Sequence, residues 1–277
     1  LKKVWFYDLE TLDEAFTATF VDRDSDETIV FISTDIICQI KELLDFLSTK
    51  VSGLIGYNCL HFDSQVLEHI IDYPESNHYD IRTYATYIIE TENRRPDYPE
   101  YKLRIQHLDL FKALSLSTSA KRTSLKWCEF SMRMENIEDM PDNGTIEEIL
   151  AYNLHDVIAT KLLYNTYVHE IELRRELTKR ENVNLMNSTE PDMAKKLFSK
   201  YLSKAMNISE NDLRNMRTER EMVNISDIIF PYVDLKGTAF EPVHNAFMNT
   251  DLVTINTLDI EERFISKNSL TNQLELF

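Results

Sequence analysis

The chain is 277 residues long and 43% hydrophobic, and its formal net charge is −17 at neutral pH. That length exceeds the usual single domain, so one large domain plus an appendage is expected. The charge repels nucleic acid over most of the surface, so any such contact must be local and cation-assisted. Four glycines are few for a loop-rich all-β design, and Cys38, Cys59 and Cys128 are widely spaced with no CxxC pair, which points to reduced thiols of a cytosolic-type protein. No apolar run approaches the roughly 20 residues of a membrane span, and no signal peptide is visible.

Residues 3–8 read as a buried first strand that runs out into Asp8-Leu9-Glu10-Thr11. Residues i and i+2 of a strand point to one side, so Asp8 and Glu10 present two carboxylates to one spot. Such a pair repels unless a cation sits between its members, and oxygen ligands of this kind suit hard ions such as magnesium or manganese. The plain alternative is a strand entering a polar turn.

Residues 15–21 and 28–32 read as a hairpin around the charged turn 22–26. Ile36, Ile40, Leu43, Leu44 and Leu47 recur at helical spacing, with Thr34 or Asp35 as the cap. A short strand at 54–57 leads through Asn58 into a helix over 62–71. Residues 72–99 carry Pro96 and Pro99 and read as a mostly exposed excursion. A strand at 103–111 and a helix at 124–132 follow. After the turn 141–144, Thr145 and Glu148 form a capping box for a long helix to about Lys179. This order predicts a mixed α/β sheet with helices on its faces. Beyond Asn182 the pattern is helical and charged over 191–206 and 210–222, with a strand pair within 225–233. The expected organisation is a domain over 1–180, a mainly helical region over 181–268 and a tail over 269–277.

Two further acids stand at informative places. Asp63 lies where a strand end hands over to a helix start, a position that the helix dipole alone would give to an acid. Asp156 follows Tyr152 by four residues, so on a helix the two share a face. Leu150, Leu154, Val157 and Ile158 fall on roughly the opposite side.

Taken together, Asp8-Leu9-Glu10-Thr11, then Asn58-x3-Phe62-Asp63, then Tyr152-x3-Asp156 resemble the three motifs of the DEDD exonucleases in their tyrosine-bearing branch. The likeness is to the proofreading exonuclease domains of phage family-B-type DNA polymerases and covers roughly residues 1–175. It implies an RNase H-like fold and hydrolysis of nucleotides from a DNA 3′ end with two divalent cations, Mg2+ or Mn2+, held by Asp8, Glu10, Asp63 and Asp156. Tyr152, too weak a base to generate hydroxide freely, would aim the attacking water by a hydrogen bond. Thr11, Leu12, Asn58 and Phe62 would meet single-stranded DNA or a primer 3′ end, Phe62 by stacking on a base.

His155 directly precedes Asp156 and reads as structural, as His61 does at its turn. Asp109 reads as a strand-end acid. Arg94, Arg95, Lys102, Arg104, Lys121, Arg122 and Lys126 are the local basic residues available for phosphate contacts.

The terminal Gln273-Leu274-Glu275-Leu276-Phe277 is similar to the pentapeptide that docks bacterial replication proteins on the sliding clamp. Leu276 and Phe277 would enter an apolar pocket with Gln273 as the polar anchor and Leu274 as a further clamp-binding residue, and a tether of this kind raises effective DNA concentration without a basic surface. A separate polymerase subunit is a further partner to consider, and no membrane is expected. Cytoplasmic location follows, in a bacterial host if the protein is viral. Two other readings stay open: a non-catalytic exonuclease-like accessory subunit of a polymerase, and the front piece of a longer phage DNA polymerase.

Overall fold

The computed structural model describes residues 1–91, 96–116, 123–137, 141, 144–216, 222–249 and 251–253, with backbone alone for 222–225 and 251–253. It forms two compact units, Leu1–Ala205 and Met206–Phe277. The Asn182 turn, where a boundary was expected, lies inside the first.

The first unit is an α/β domain. Its strands are β1 (Lys3–Thr11), β2 (Phe16–Asp22) and β3 (Thr28–Ser33), then α1 (Ile40–Lys50), β4 (Val51–Gly56), α2 (Asp63–Asp72), α3 (His78–Glu90) and β5 (His107–Asp109). The helices α4 (Leu110–Ala113), α5 (Leu125–Met132), α6 (Ile146–Thr166), α7 (Val168–Glu181) and α8 (Glu190–Met206) complete it. The five-stranded sheet has the order β3-β2-β1-β4-β5. β1, β2 and β3 pair antiparallel, whereas β1, β4 and β5 pair parallel.

Alternation along β1 sorts its side chains between two cores. Trp5, Tyr7 and Leu9 join Phe20, Phe46, Leu67 and Ile81 on the face covered by α1, α2 and α3. Phe6 points the other way and meets Tyr164 of α6 edge-on, with ring centroids 5.4 Å apart, in a core that also holds Val157, Leu163 and Ile171. Asp8 and Glu10 continue the Phe6 side, so they emerge toward α6.

Several elements depart from the sequence-based expectation. The stretch 72–99 contains α3, capped by the reciprocal Asn77–Asp80 box and buried through Ile81, Ala85 and Ile88 at helical spacing. The strand expected over 103–111 shrinks to β5, because Asp109 already caps α4 through the Phe111 amide. Helix α1 begins later than expected, at Ile40, and Thr34 instead accepts from the Ile36 and Ile37 amides of a turn, which leaves Ile36 exposed. The long helix breaks at Tyr167, and the break lets Ile171 of α7 enter the same core as Val157 of α6.

The second unit holds α9 (Glu210–Asn215), β6 (Met222–Asn224), α10 (Glu241–Met248) and β7 (Asp251–Val253). β6 pairs antiparallel with β7, so the partner of the 222–224 strand comes from downstream, not from within 225–233. An apolar pocket of about 360 Å³ between Phe230, Phe240 and Phe247 lies in this unit. No helix among the described residues is long and apolar enough to cross a membrane. Arg94, Arg95, Lys121, Arg122 and the tail with Gln273, Leu274, Leu276 and Phe277 lie outside the described residues.

Candidate active site

The ladder between β1 and β4 ends at the Phe6–Ile55 pair, while β1 runs on beside β2 as far as Thr11. That mismatch opens a crevice outside the carboxyl ends of the parallel strands, where α/β sheets bind ligands. β4 stops at Gly56, where a Cβ would stand 2.7 Å from the Cys59 Cβ and 3.0 Å from the Tyr7 ring. Only glycine lets the chain turn this tightly, and Asn58 completes the turn at φ 55°. The turn delivers Asp63 to the crevice. Its Oδ1 accepts the Leu9 amide at 3.2 Å, at a point of β1 beyond the β4 ladder.

From the opposite face, α6 presents its first half. The stripe it buries runs through Ile149, Asn153, Val157, Thr160 and Tyr164, not through Leu150, Leu154 and Ile158; Ile158 is 46% exposed. α6 packs against both the sheet and α5, and Val157 is buried in the shared core while Leu154 lies at its margin. Tyr152 and Asp156 are therefore left on the flank of the buried stripe, facing the crevice. Ligand atoms of Asp8, Glu10 and Asp156 all lie within 4.8 Å of one another.

The electrostatics of this spot are unfavourable as they stand. Burial, then the charges of Asp63, Glu10 and Asp156, push the Asp8 carboxyl far above the usual carboxylate range. Burial, with Asp156 added, pushes Glu10 up to about 7. Burial and Glu10 push Asp63 up to about 8, against the pull of its own amide and that of Leu9. Three carboxyls raised in this way, with the Asp156 charge acting on two of them and all-oxygen donors throughout, fit hard divalent cations. The donor set thus suits magnesium or manganese better than zinc, which favours nitrogen and sulfur ligands.

Burial, then the charge of Asp156, raises the Tyr152 phenol well above its ordinary value, and its hydroxyl hydrogen-bonds to Asp156. The group stays protonated at neutral pH and is a donor. Asn153, fully buried, was not singled out from the sequence. Its Nδ2 donates to Asp8 Oδ2 at 2.7 Å, and its buried Oδ1 has no protein partner among the described residues. An amide at the centre of a helix's buried stripe, next to Tyr152, was the available signal.

Other expected residues fall into place around this centre. Thr11 is buried and its carbonyl accepts Arg82; Leu12 and Phe62 are half-buried, and Asn58 is exposed. His155 meets Glu129 of α5 at 3.1 Å, a pair that docks α5 on α6, and these two with Asp156 form a second tight grouping of ligand atoms. Asp109 is fully buried and accepts the amides of Leu60 and Phe111, so it braces the turn before α2. Arg104 is committed to Glu68 and Asp72 of α2, Lys102 lies over the Tyr101 ring, Lys126 is half-buried, and His61 is exposed. Comparison with protein-family models, with curated proteins and with solved structures returned no match for this chain.

Proposed function

We propose that the protein is a metal-dependent 3′–5′ exonuclease that removes nucleotides from DNA 3′ ends by hydrolysis. The observation that carries this reading is the convergence of Asp8, Glu10 and Asp156 from β1 and α6 within 4.8 Å, with Asp63 adding its charge from α2. The strand order β3-β2-β1-β4-β5, antiparallel on one side of β1 and parallel on the other, is compatible with an RNase H-like fold and supports the same reading.

Asp8, Glu10, Asp63 and Asp156 are the residues that would hold two magnesium or manganese ions. Such ions, when bound, lower the pKa of an attacking water and neutralise charge on the phosphate and the leaving oxygen. Asp63 is fixed by the Leu9 amide, and Asn153 holds one Asp8 oxygen in place and favours its charged form. Tyr152 keeps its proton and orients the water by donating a hydrogen bond, because a phenol raised this far cannot act as the base. Leu12 and Phe62 wedge and stack against the terminal bases, and Thr11 and Asn58 supply polar contacts to the strand. The acidic surface requires that the DNA reach the site as a flexible single strand, and Gln273, Leu274, Leu276 and Phe277 supply the tether to a sliding clamp.

A 5′-labelled single-stranded oligonucleotide tests the activity. Stepwise shortening from the 3′ end is expected with Mg2+ and the wild-type chain, and none with EDTA or with Asp8→Ala. Equal degradation by both proteins, or by neither, would sink the reading. Deletion of residues 273–277 is expected to abolish co-elution with the clamp while leaving cleavage of the free oligonucleotide unchanged.

A further inference from the structure

A second feature lies on α2, well away from the carboxylate centre. Asp63 begins this helix and His69 and Asp72 end it, so the two places are separated by about 9 Å or more along the axis. Here α2 and α3 enclose an open cavity of about 680 Å³. Its floor is a run of stacked rings. His69 lies flat on Tyr84, with centroids 4.0 Å apart and planes within 8°; Tyr73 meets His69 at 4.7 Å and Tyr87 continues the row at 6.0 Å from Tyr84. Tyr73 and Tyr87 are 58% and 49% exposed, so the row opens to water at both ends.

The rim is acidic. Asp72, Glu75 and Asp80 line the cavity, and among the described residues its lining includes no Lys or Arg. Asp97 adds a fourth charge by accepting the Tyr84 hydroxyl at 3.1 Å, and Asp72, Asp80 and Asp97 all face the His69 ring. Some of these acids have structural duties: Asp72 binds Arg104 and Tyr98, and Asp80 closes the capping box of α3. Glu75 meets Lys41 at 3.5 Å, with both side chains mostly exposed.

Rings present negative π faces, and carboxylates around them add negative potential. A phosphate backbone is repelled from such a place. An ammonium or guanidinium group gains on both counts, with its methylene stem lying along the tyrosines. We propose that the α2–α3 groove is a docking site for an Arg- or Lys-bearing segment of a partner protein, whose cationic side chain stacks on the Tyr73–His69–Tyr84–Tyr87 row beneath the Glu75 and Asp80 carboxylates. The site is separate from the carboxylate centre and does not depend on the chemistry assigned there.

The test uses the full chain and a blocked synthetic Arg-Ala-Arg-Ala-Lys peptide, followed by amide chemical shifts and calorimetry. A control peptide has Gln in place of each Arg and Lys. Binding is expected to shift amides of α2 and α3, to be absent for the Gln peptide, and to weaken about tenfold in Tyr87→Ala and in Glu75→Lys. Both substitutions are at exposed positions, and an unchanged melting temperature and unchanged amide shifts outside α2 and α3 verify that the fold is intact. Unaltered affinity in both variants, shifts spread over the whole acidic surface, or equal binding of the Gln peptide would each overturn the proposal. So would an oligo-dT that shifts the same α2 and α3 amides.

Discussion

The two ends of β1 treat acids in opposite ways. At the start of the strand, burial alone would raise Asp22, but the Lys3 ammonium and the backbone amides of Asp24 and Ser25 outweigh it and hold the carboxyl below its usual range. At the other end, three and five residues beyond Trp5, whose partner in register is Asp22, Asp8 and Glu10 meet acids instead: Asp63 and Asp156 add their charges to burial, and the Asp8 and Glu10 carboxyls are pushed up. The same chemical group is therefore a finished ion pair at one end and an unfinished one at the other. A fold retains buried like charges at a cost in stability, and the cost is expected where function requires it.

The sharpest way to break that contrast is Asp8→Asn. On the proposed reading it should lower kcat in the oligonucleotide assay by on the order of 10³-fold or more, since it would remove a ligand charge where the transition state gathers charge. The same variant should melt higher than the wild type in EDTA, because a neutral amide does not carry the cost of protonating or crowding a carboxyl that burial and its acidic neighbours push up. Added Mg2+ should raise the wild-type melting temperature and leave the variant unchanged; at a hundredfold excess over Kd the wild-type gain is about 2.7 kcal/mol. A wild type insensitive to Mg2+ and Mn2+ would remove the distinction between the two ends.

A smaller effect is expected from Tyr152→Phe. Loss of one hydrogen bond to a charged or reacting group corresponds to about 10-fold to 100-fold in kcat, with the Mg2+-dependent rise in melting temperature preserved. If Tyr152→Phe abolishes the metal response as Asp8→Asn does, the phenol belongs to the ligand set and not to water positioning.

The middle of the strand supplies a pH signature. The Tyr7 hydroxyl and His107 Nδ1 share a buried hydrogen bond of 2.9 Å, and burial lowers the His107 pKa to about 3. Unfolded histidine takes up its proton near pH 6.5. The folded state thus binds fewer protons than the unfolded state between these values, so stability is full above pH 6.5 and is lost as pH falls toward 3. Urea melts at pH 7 and pH 5 should differ by about 2 kcal/mol from this group, and the difference should shrink in His107→Gln. The smallest effect is at the finished end: Lys3→Met should lower the melting temperature modestly, since it leaves the buried Asp22 without its cation, and leave exonuclease activity unchanged.

Much of the domain was legible along the chain because the signals were local. The β1–β2–β3 strands, the α2 start and the Thr145–Glu148 capping box each follow from a few neighbouring residues. Helix α3 carries the same kind of signal, Asn77 with Asp80 and a buried Ile81–Ala85–Ile88 line, but Pro96 and Pro99 further on give the whole polar stretch the pattern of a loop. Apolar alternation over 103–111 overstates β5, because alternation alone does not reveal where a helix cap takes over.

By itself the sequence determined which carboxylates stand at strand ends and helix starts, and that Asp8 with Glu10, and Tyr152 with Asp156, must share a side of their own elements. That follows from the fixed periods of strand and helix. Only the tertiary structure decided that these pairs face each other, that Asp63 is pinned by the Leu9 amide, and that Asn153 holds Asp8. The physical reason is rotation and register: how α6 turns against the sheet depends on the core in which Val157 is buried with Phe6, Ile55 and Leu108, residues far apart in the chain.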